Sequence, residues 1–200
     1  MSLAIRFRAQ LAWDWLRARV GVPLECERGG AGVARDSDDG ALTFTVGGRD
    51  GLLCYGRPCT RGRTVFGELV PYGELWRTGA NEPTVLQLSF NAEVAGLRLA
   101  RGMYSLYTIP SHEDWTLVIN RATRQWGLTR RERGKNGRLF ESAYTPAVQA
   151  AEVGRVPVET RVIPHVERLT ARAEHVDDRS TDLLIEWETI QVRIPVLSRG

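Results

Sequence analysis

The sequence predicts an all-β domain, an antiparallel β-sandwich or open barrel of about nine or ten strands, preceded by an N-terminal helical arm. Segments rich in β-branched and aromatic residues recur from Ala41 onward, and turn residues separate them roughly every 8 to 12 positions. These segments do not alternate with helical ones, so a parallel α/β sheet is not expected. The chain is 42% hydrophobic and 26% charged, which suits a single domain with a sizeable core.

An amphipathic pattern over residues 3–20 predicts a helix. Its apolar residues recur at helical spacing at Leu3, Phe7, Leu11 and Trp15. Arginines flank this stripe and Pro23 ends the helix, which gives a helical arm over residues 1–26. Because Trp and Arg suit the headgroup region of a membrane, an interfacial anchor is one interpretation. Docking on the main domain is the interpretation that we favour, and a disordered arm is the third.

A linker is predicted over residues 27–40, where glycines and small charged residues replace any apolar period. The β-sandwich domain is expected to cover residues 41–200. Pro157 argues for an edge strand or a strand start, since proline cannot donate to a neighbouring strand. The predicted strands are Ala41–Val46, Leu52–Tyr55, Thr84–Phe90, Ala92–Val94, Leu97–Leu99, Met103–Ile109, Trp115–Ile119, Val156–Ile163, Leu169–Ala173, Leu183–Trp187 and Val192–Val196.

Residues 121–155 interrupt the strand pattern. Within them, residues 121–138 contain seven basic residues, one acidic residue and Trp126. Basic charge next to an aromatic ring can bind single-stranded nucleic acid or anionic lipid. A charged run is more commonly a solvated loop, and we expect that role here.

The overall charge gives little support for a nucleic-acid partner, because the net charge at pH 7 is only +3. No segment approaches the roughly 20 consecutive apolar residues that cross a bilayer. Charged residues also interrupt every apolar run near the N-terminus, which a secretory signal does not tolerate. We therefore expect a cytoplasmic protein, with export left open if the start is misassigned. Peripheral membrane contact through the helix stays open, and the oligomeric state is not determined.

The three cysteines, Cys26, Cys54 and Cys59, do not form an even-numbered disulfide framework. Free, partly buried thiols are expected, with a local Cys54–Cys59 disulfide as the alternative. The histidines lack the spacing of metal ligands; they are His112, His165 and His175. There is also no phosphate-binding glycine loop and no nucleophile elbow. The sequence therefore predicts neither a metal site nor a cofactor.

The segment Val65–Thr84 is the strongest candidate for a functional site. It has neither helical nor strand periodicity for most of its length. A compact domain rarely keeps so long a loop without a packing or functional reason. Within the segment, Arg77 can clamp a carboxylate or phosphate through its planar guanidinium group. Arg77 is therefore the predicted anchor of an anionic ligand.

Five further residues complete the predicted ligand-binding set. Trp76 and Tyr72 would supply apolar walls, while Asn81 and Glu82 would orient a ligand through hydrogen bonds. Arg57 lies at a strand exit before Pro58, from where it can join the loop. No catalytic residue is assigned.

The same residues also have a structural interpretation. A long loop that lies over a sandwich needs polar partners for its backbone groups. An ion pair between Arg77 and Glu82, with Asn81 bonded to the loop backbone, would make the loop a rigid cap. Tyr104 and Tyr107 lie three apart on one strand and so point to opposite faces, which means that only one can line a given pocket.

Several strings occur in an order that resembles a bacterial family catalogued as domain of unknown function 2911. They are YGRP (Tyr55–Pro58), GRTVFG (Gly62–Gly67), LVPYGELWRTGANEPT (Leu69–Thr84), RGMYSLYTIP (Arg101–Pro110), WTLVIN (Trp115–Asn120), VGRVPVET (Val153–Thr160) and LLIEWETIQVRIPV (Leu183–Val196). The resemblance implies an all-β fold, frequent export behind a signal or lipoprotein leader, and no settled activity. The chain departs from this pattern at its N-terminal helix and linker, and in the longer arginine-rich stretch after Trp126.

Two function classes follow. The leading hypothesis is a small-molecule or anion-binding domain with its site at Val65–Thr84, and whether it also catalyses a reaction is left open. The rival is a structural or protein-interaction module, in which that loop is a rigid cap and the N-terminal helix or an edge strand recruits a partner.

Overall fold

The structure is a computed structural model that describes residues 25–26, 37–123, 132–133, 139–140 and 144–199. The helix predicted over residues 3–20, most of the predicted linker and most of the basic segment 121–138 lie outside these residues. The described part forms twelve strands and one short helix. In chain order they are β1 (Asp38–Val46), β2 (Arg49–Arg57), β3 (Thr84–Leu88), β4 (Ala92–Val94), β5 (Leu97–Leu99), β6 (Gly102–Ile109), β7 (Trp115–Asn120), β8 (Glu132–Arg133), β9 (Leu139–Phe140), α1 (Pro146–Gln149), β10 (Glu152–Val158), β11 (Thr160–Asp177) and β12 (Ser180–Ser198).

The strands form two main antiparallel sheets. The larger has six strands in the order β1-β2-β3-β6-β7-β10, and the smaller has four in the order β11-β12-β4-β5. β8 and β9 pair separately as a hairpin. The predicted all-β, antiparallel architecture is confirmed, and neither main sheet closes into a barrel. Pro157 lies on β10, an edge strand of the larger sheet, as its chemistry predicts.

Strand lengths differ most from the prediction in the C-terminal hairpin. β11 and β12 span 18 and 19 residues, where the pattern had predicted several short strands. Register shifts on β11 follow Val162 and Val166, and Glu188 on β12 has a φ of 53°. Such irregularities break the two-residue alternation that marks a strand in sequence. β1 also begins earlier than predicted, at Asp38 inside the predicted linker.

The hydrophobic core lies between the two sheets. Every second residue of the inner strands points into it, and Leu86, Leu106 and Leu117 are completely buried. Burial of one such side chain stabilises the fold by about 1.5–3 kcal/mol. The smaller sheet contributes the buried Ile185 and Ile194 from β12. Sheet-on-sheet burial is thus the main force that holds this fold together.

Four aromatic rings close one end of the core. The ring of Phe66 lies in edge contact with Trp115 at 4.7 Å, Trp76 at 5.8 Å and Trp187 at 5.9 Å between centroids. The Glu188 carboxylate accepts a hydrogen bond from the Val65 N–H at 3.1 Å, which ties this part of the chain to β12. Val65, Phe66 and Val70, in the first half of the long Val65–Thr84 segment, are therefore part of the core.

A disulfide joins Cys26 to Cys54, while Cys59 stays outside any disulfide. The expectation of three free thiols was wrong, and so was the alternative Cys54–Cys59 pairing. Cys54 lies within β2, and Cys59 comes two residues after that strand has ended. Only the folded chain brings Cys26 within a Cα–Cα distance of 5.6 Å of Cys54.

The residues that follow β2 pair with β11 at the edge of the sandwich. Cys59 forms a β-bridge with Arg168, and the Thr60 N–H donates to the Glu167 carbonyl oxygen at 2.8 Å. The Glu167 carboxylate accepts further hydrogen bonds from the Thr60 hydroxyl and from the Arg61 N–H. These donors lower the pKa of Glu167 to about 2.

The depressed pKa of Glu167 predicts a pH-dependent contribution to stability. The ionised carboxylate favours the folded state above its ordinary pKa of 4.5, and this contribution is lost as the pH falls to about 2. Glu167→Gln should therefore lower the urea midpoint at pH 7 and lower it much less at pH 2, where about half of the carboxylate is protonated. The matched control is Glu68→Gln, at an exposed glutamate in the connection between β2 and β3. A deficit that is equal at both pH values would contradict this assignment.

The Cys26–Cys54 disulfide predicts a loss of stability on removal. The cysteines are 28 residues apart, so the cross-link restricts the unfolded chain, and Cys26→Ser should lower the free energy of unfolding by about 2–4 kcal/mol. Chemical denaturation without reductant measures this change, with Cys59→Ser as the control. Equal losses in both variants would contradict the assigned pairing, which peptide mapping without reductant checks directly.

Candidate functional site

The second half of the Val65–Thr84 segment runs along the line of β3. Trp76 and Thr108 exchange two backbone hydrogen bonds, at 2.7 and 2.9 Å, beside the end of β6. Thr84 then pairs with Leu106, and its N–H donates to the Arg77 carbonyl oxygen at 3.1 Å. The chain therefore leaves the β3 line after Arg77 and returns at Thr84. Because adjacent residues of an extended segment face opposite sides, Trp76 enters the core and Arg77 points to the outer face of the larger sheet.

Residues 78–83 form an excursion that lies against β2. A Cβ atom on Gly56 would come within 2.0 Å of the Ala80 carbonyl oxygen, so only glycine permits this approach. Thr78 and Asn81 have φ values of 55° and 64°, which are unfavourable for residues with a side chain. The Thr84 hydroxyl bonds the Thr78 carbonyl oxygen at 2.7 Å and helps to hold this conformation.

Polar residues occupy buried positions on the outer face of the larger sheet. Strand register places Cys54, Val85, Ser105 and Asn120 in one row across β2, β3, β6 and β7. Ser105 and Asn120 are completely buried. Tyr107 lies two residues beyond Ser105 on the same face and is 1% exposed. Buried polar groups on an outer face need hydrogen-bond partners, and other segments of the same chain provide them.

Helix α1 covers part of this face. The Asn120 side-chain amide donates to the Val148 carbonyl oxygen at 2.7 Å and to the Tyr144 hydroxyl at 3.2 Å. The Tyr144 hydroxyl donates to Glu152 at 2.6 Å, and the ring of Tyr144 meets that of Tyr107 edge-on at 4.9 Å. We refer to six residues as the outer-face cluster: Arg77, Ser105, Tyr107, Asn120, Tyr144 and Glu152.

The pKa shifts in this cluster keep its two tyrosines neutral and its carboxylate charged at neutral pH. Burial raises the pKa of Tyr107 well above its usual range, although the Ser105 hydroxyl and the Arg77 charge oppose the shift. Burial and donation to Glu152 likewise raise the pKa of Tyr144. Hydrogen bonding to Arg155 lowers the pKa of Glu152. At neutral pH both hydroxyls are therefore protonated and the carboxylate is ionised.

Two arginines lie at this face in different environments. Arg155 forms two hydrogen bonds to Glu152, at 2.7 and 2.9 Å, and is exposed. The Nε and Nη1 atoms of Arg77 are buried, and its charge acts on the Tyr107 hydroxyl. Arg77 thus brings a positive charge near the buried hydroxyl of Tyr107, where electrostatic interactions are stronger than in water.

The structure brings only part of the predicted ligand-binding set together. Arg77 belongs to the outer-face cluster, and Asn81 and Glu82 lie half-buried in the neighbouring excursion. The Asn81 side-chain amide donates to the Ser37 carbonyl oxygen at 3.1 Å, so it bonds the residue before β1 and ties the excursion to it. Trp76 lies on the opposite side of the sheet, stacked on Trp187.

The other two predicted residues lie elsewhere. Tyr72 is exposed at the end of the sandwich, with its ring 4.1 Å from that of His112. Arg57 faces β11, where it bonds the Leu169 carbonyl oxygen at 3.2 Å and the Thr170 hydroxyl at 3.4 Å. Arg57 therefore joins the two sheets and lies away from Arg77.

Sequence reasoning missed Ser105, Asn120, Tyr144 and Glu152. A usable signal was the placement of Ser105 and Asn120 at outward positions of strands that are otherwise apolar. Tyr144 has no such signal, since it lies in a segment without strand or helix periodicity.

Among the described residues, no group of three histidines, cysteines or acids is arranged to hold a metal ion. No helix in the described part of the chain is long and apolar enough to cross a bilayer.

The close approach of Ala80 to β2 predicts a cost for any side chain at position 56. Gly56→Ala should lower the free energy of unfolding by about 1–3 kcal/mol through overpacking, because it displaces the excursion over residues 78–83. Gly154→Ala is the matched control, since its Cβ would meet the flexible end of Leu97. Thermal denaturation of both variants measures the difference. A Gly56→Ala variant as stable as the wild type would contradict the described packing.

Comparison with known proteins places the domain in a family. The family model described as "Protein of unknown function (DUF2911)" matches residues 37–196. No curated protein and no solved structure matches the chain. The matched residues extend from just before β1 almost to the end of β12, and they include every residue of the outer-face cluster. The chain therefore belongs to the DUF2911 family, as the order of its motifs predicts.

Proposed function

We propose that this protein binds a small organic monocarboxylate at the outer-face cluster. The observation that carries the proposal is the position of Arg77, whose Nε and Nη1 atoms are buried and whose charge acts on the protonated hydroxyl of Tyr107. A guanidinium group offers two parallel N–H donors that match the two oxygens of a carboxylate. Tyr107 adds a hydroxyl donor beside that charge.

The charge of the site favours a singly charged ligand. Glu152 and Arg155 pair with each other through two hydrogen bonds, and Arg77 is the one arginine of the outer-face cluster. A phosphate dianion would need further cations or several backbone N–H donors, as in phosphate-binding loops. A carboxylate needs only one arginine and one or two hydroxyls.

Apolar groups beside Tyr107 and Ser105 favour an organic ligand over a simple ion. Val118 lies opposite Tyr107 in the sheet and is completely buried, and Val85 lies beside Ser105 in the row. The rings of Tyr107 and Tyr144 add aromatic surface. A hydrocarbon or aromatic body attached to the carboxylate would pack on these side chains.

The ionisation of the cluster supports binding rather than proton-transfer catalysis. A general acid or base works best when its pKa lies near the working pH. Here the pKa values of both tyrosines are raised and that of Glu152 is lowered, so none of these groups changes charge near neutrality. We therefore assign a ligand class and no reaction.

The Cys26–Cys54 disulfide bears on the predicted cytoplasmic location. Disulfides persist in oxidising compartments and are rare in the cytoplasm, where thiols are kept reduced. The disulfide therefore supports function in an oxidising compartment. Cysteine trapping by rapid alkylation of native cells would report the state of this pair where the protein acts.

Calorimetric titration tests the carboxylate site. With benzoate, acetate and inorganic phosphate as probes, benzoate should bind most tightly and phosphate most weakly. Arg77→Ala should weaken benzoate binding about 10- to 100-fold, because a charge-assisted hydrogen-bond pair is lost. The benzoate affinity of Arg77→Lys should lie between those of the wild type and Arg77→Ala, since lysine keeps the charge and loses the planar guanidinium group.

Two further variants make this test specific. Arg98→Ala removes an exposed arginine from β5 in the other sheet and should leave benzoate binding unchanged. Tyr107→Phe keeps the ring, removes one donor and should weaken binding about 2- to 10-fold. Equal affinity of benzoate for the wild-type protein and for a folded Arg77→Ala variant would overturn the proposed site.

A further inference from the structure

The Cys26–Cys54 disulfide and the outer-face cluster share one face of the larger sheet. Cys54 begins the row that continues through Val85 to Ser105 and Asn120. With strands about 4.8 Å apart, Cys54 lies about 10 Å from Ser105 across that row. The disulfide therefore fixes Cys26 at the edge of the cluster, on the side away from α1.

A second contact holds the same short segment. The side-chain amide of Gln87 donates to the Glu25 carbonyl oxygen at 2.7 Å and lies 3.6 Å from the Cys54 sulfur. Gln87 is two residues from Val85 on β3, so its side chain shares the outer face, where it is 4% exposed. Glu25 and Cys26 thus cover a buried polar group that borders the cluster.

The disulfide itself is open to attack by a thiol. Cys26 is exposed, whereas Cys54 is half-buried. A thiolate of a dithiol reductant would attack the Cys26 sulfur, break the S–S bond and release the Cys54 thiolate, which takes a proton from water. The second thiol of the reductant would then displace Cys26 and leave the reductant as a cyclic disulfide. Exposed disulfides of this kind are the more readily reduced ones.

We infer that the oxidation state of Cys26–Cys54 controls ligand binding at the outer-face cluster. When the disulfide is intact, Glu25 and Cys26 stay on the sheet. The Glu25 carbonyl oxygen accepts the hydrogen bond of Gln87, and both residues limit the access of water to that side of the face. Attraction between Arg77 and a carboxylate is stronger when water is excluded. Reduction removes the covalent attachment, so water enters and binding weakens. This inference rests on the proposed carboxylate site.

Linkage makes the coupling measurable from both directions. Couplings between two sites commonly change an affinity about 5- to 150-fold, and the same factor acts in both directions. If oxidation strengthens benzoate binding by a given factor, saturating benzoate must make the disulfide harder to reduce by that factor. A structural cross-link without influence on the site would show neither effect.

Benzoate titration of the oxidised full chain, of Cys26→Ser and of Cys59→Ser tests the inference. We expect Cys26→Ser to bind benzoate at least about 5-fold more weakly, and Cys59→Ser to match the wild type. The reverse measurement equilibrates the wild type in glutathione redox buffers with and without benzoate, followed by alkylation and mass spectrometry. With benzoate present, the midpoint for reduction of the disulfide should move to more reducing buffers, by the factor that separates the benzoate affinities of the two redox states.

Each result has a distinct meaning. Equal benzoate affinity in the oxidised protein and in Cys26→Ser overturns the coupling and leaves the carboxylate site intact. Absence of benzoate binding in every form overturns the carboxylate site and the coupling with it. Tyrosine nitration gives a readout without ligand: Tyr107 should react faster in Cys26→Ser than in the wild type, while the exposed Tyr72 reacts equally in both. Unchanged protection of Tyr107 would count against the loss of cover.

Discussion

The backbone pairing between Trp76 and Thr108 is the constraint on which the rest of this structure depends. Two hydrogen bonds place a long, irregular connection in line with β3 and thereby fix the direction of two adjacent side chains. Trp76 enters the aromatic end of the core, and Arg77 emerges on the outer face. One short extended segment therefore supports both the stability of the sandwich and the chemistry of the candidate site.

This arrangement also explains why the long segment allowed two interpretations. Its first part contributes Val65 and Phe66 to the core, and Glu188 holds the backbone of Val65. Its second part lies over Gly56 with an unfavourable backbone at Thr78 and Asn81. Strained backbone persists only where the surroundings hold it, and such positions cluster at functional sites.

The charged and polar groups of the larger sheet lie together on its outer face. Donor groups with raised pKa values, an arginine with buried nitrogen atoms and a disulfide all lie on one side of the larger sheet. The opposite side of that sheet is apolar and packs on the smaller sheet. A single layer of strands thus separates the proposed site from the hydrophobic core, so the site can vary while the core stays intact.

Local sequence patterns were enough to predict the all-β class, the antiparallel arrangement, the edge position of Pro157 and the opposite directions of Tyr104 and Tyr107. These follow from local periodicity and backbone chemistry, which need no knowledge of distant residues. The Cys26–Cys54 pairing, the separation of Arg57 and Tyr72 from Arg77, and the contact of Tyr144 with Asn120 became visible only in the folded chain. These contacts join residues far apart in the chain, and strand register and loop packing, which local patterns do not encode, bring them together.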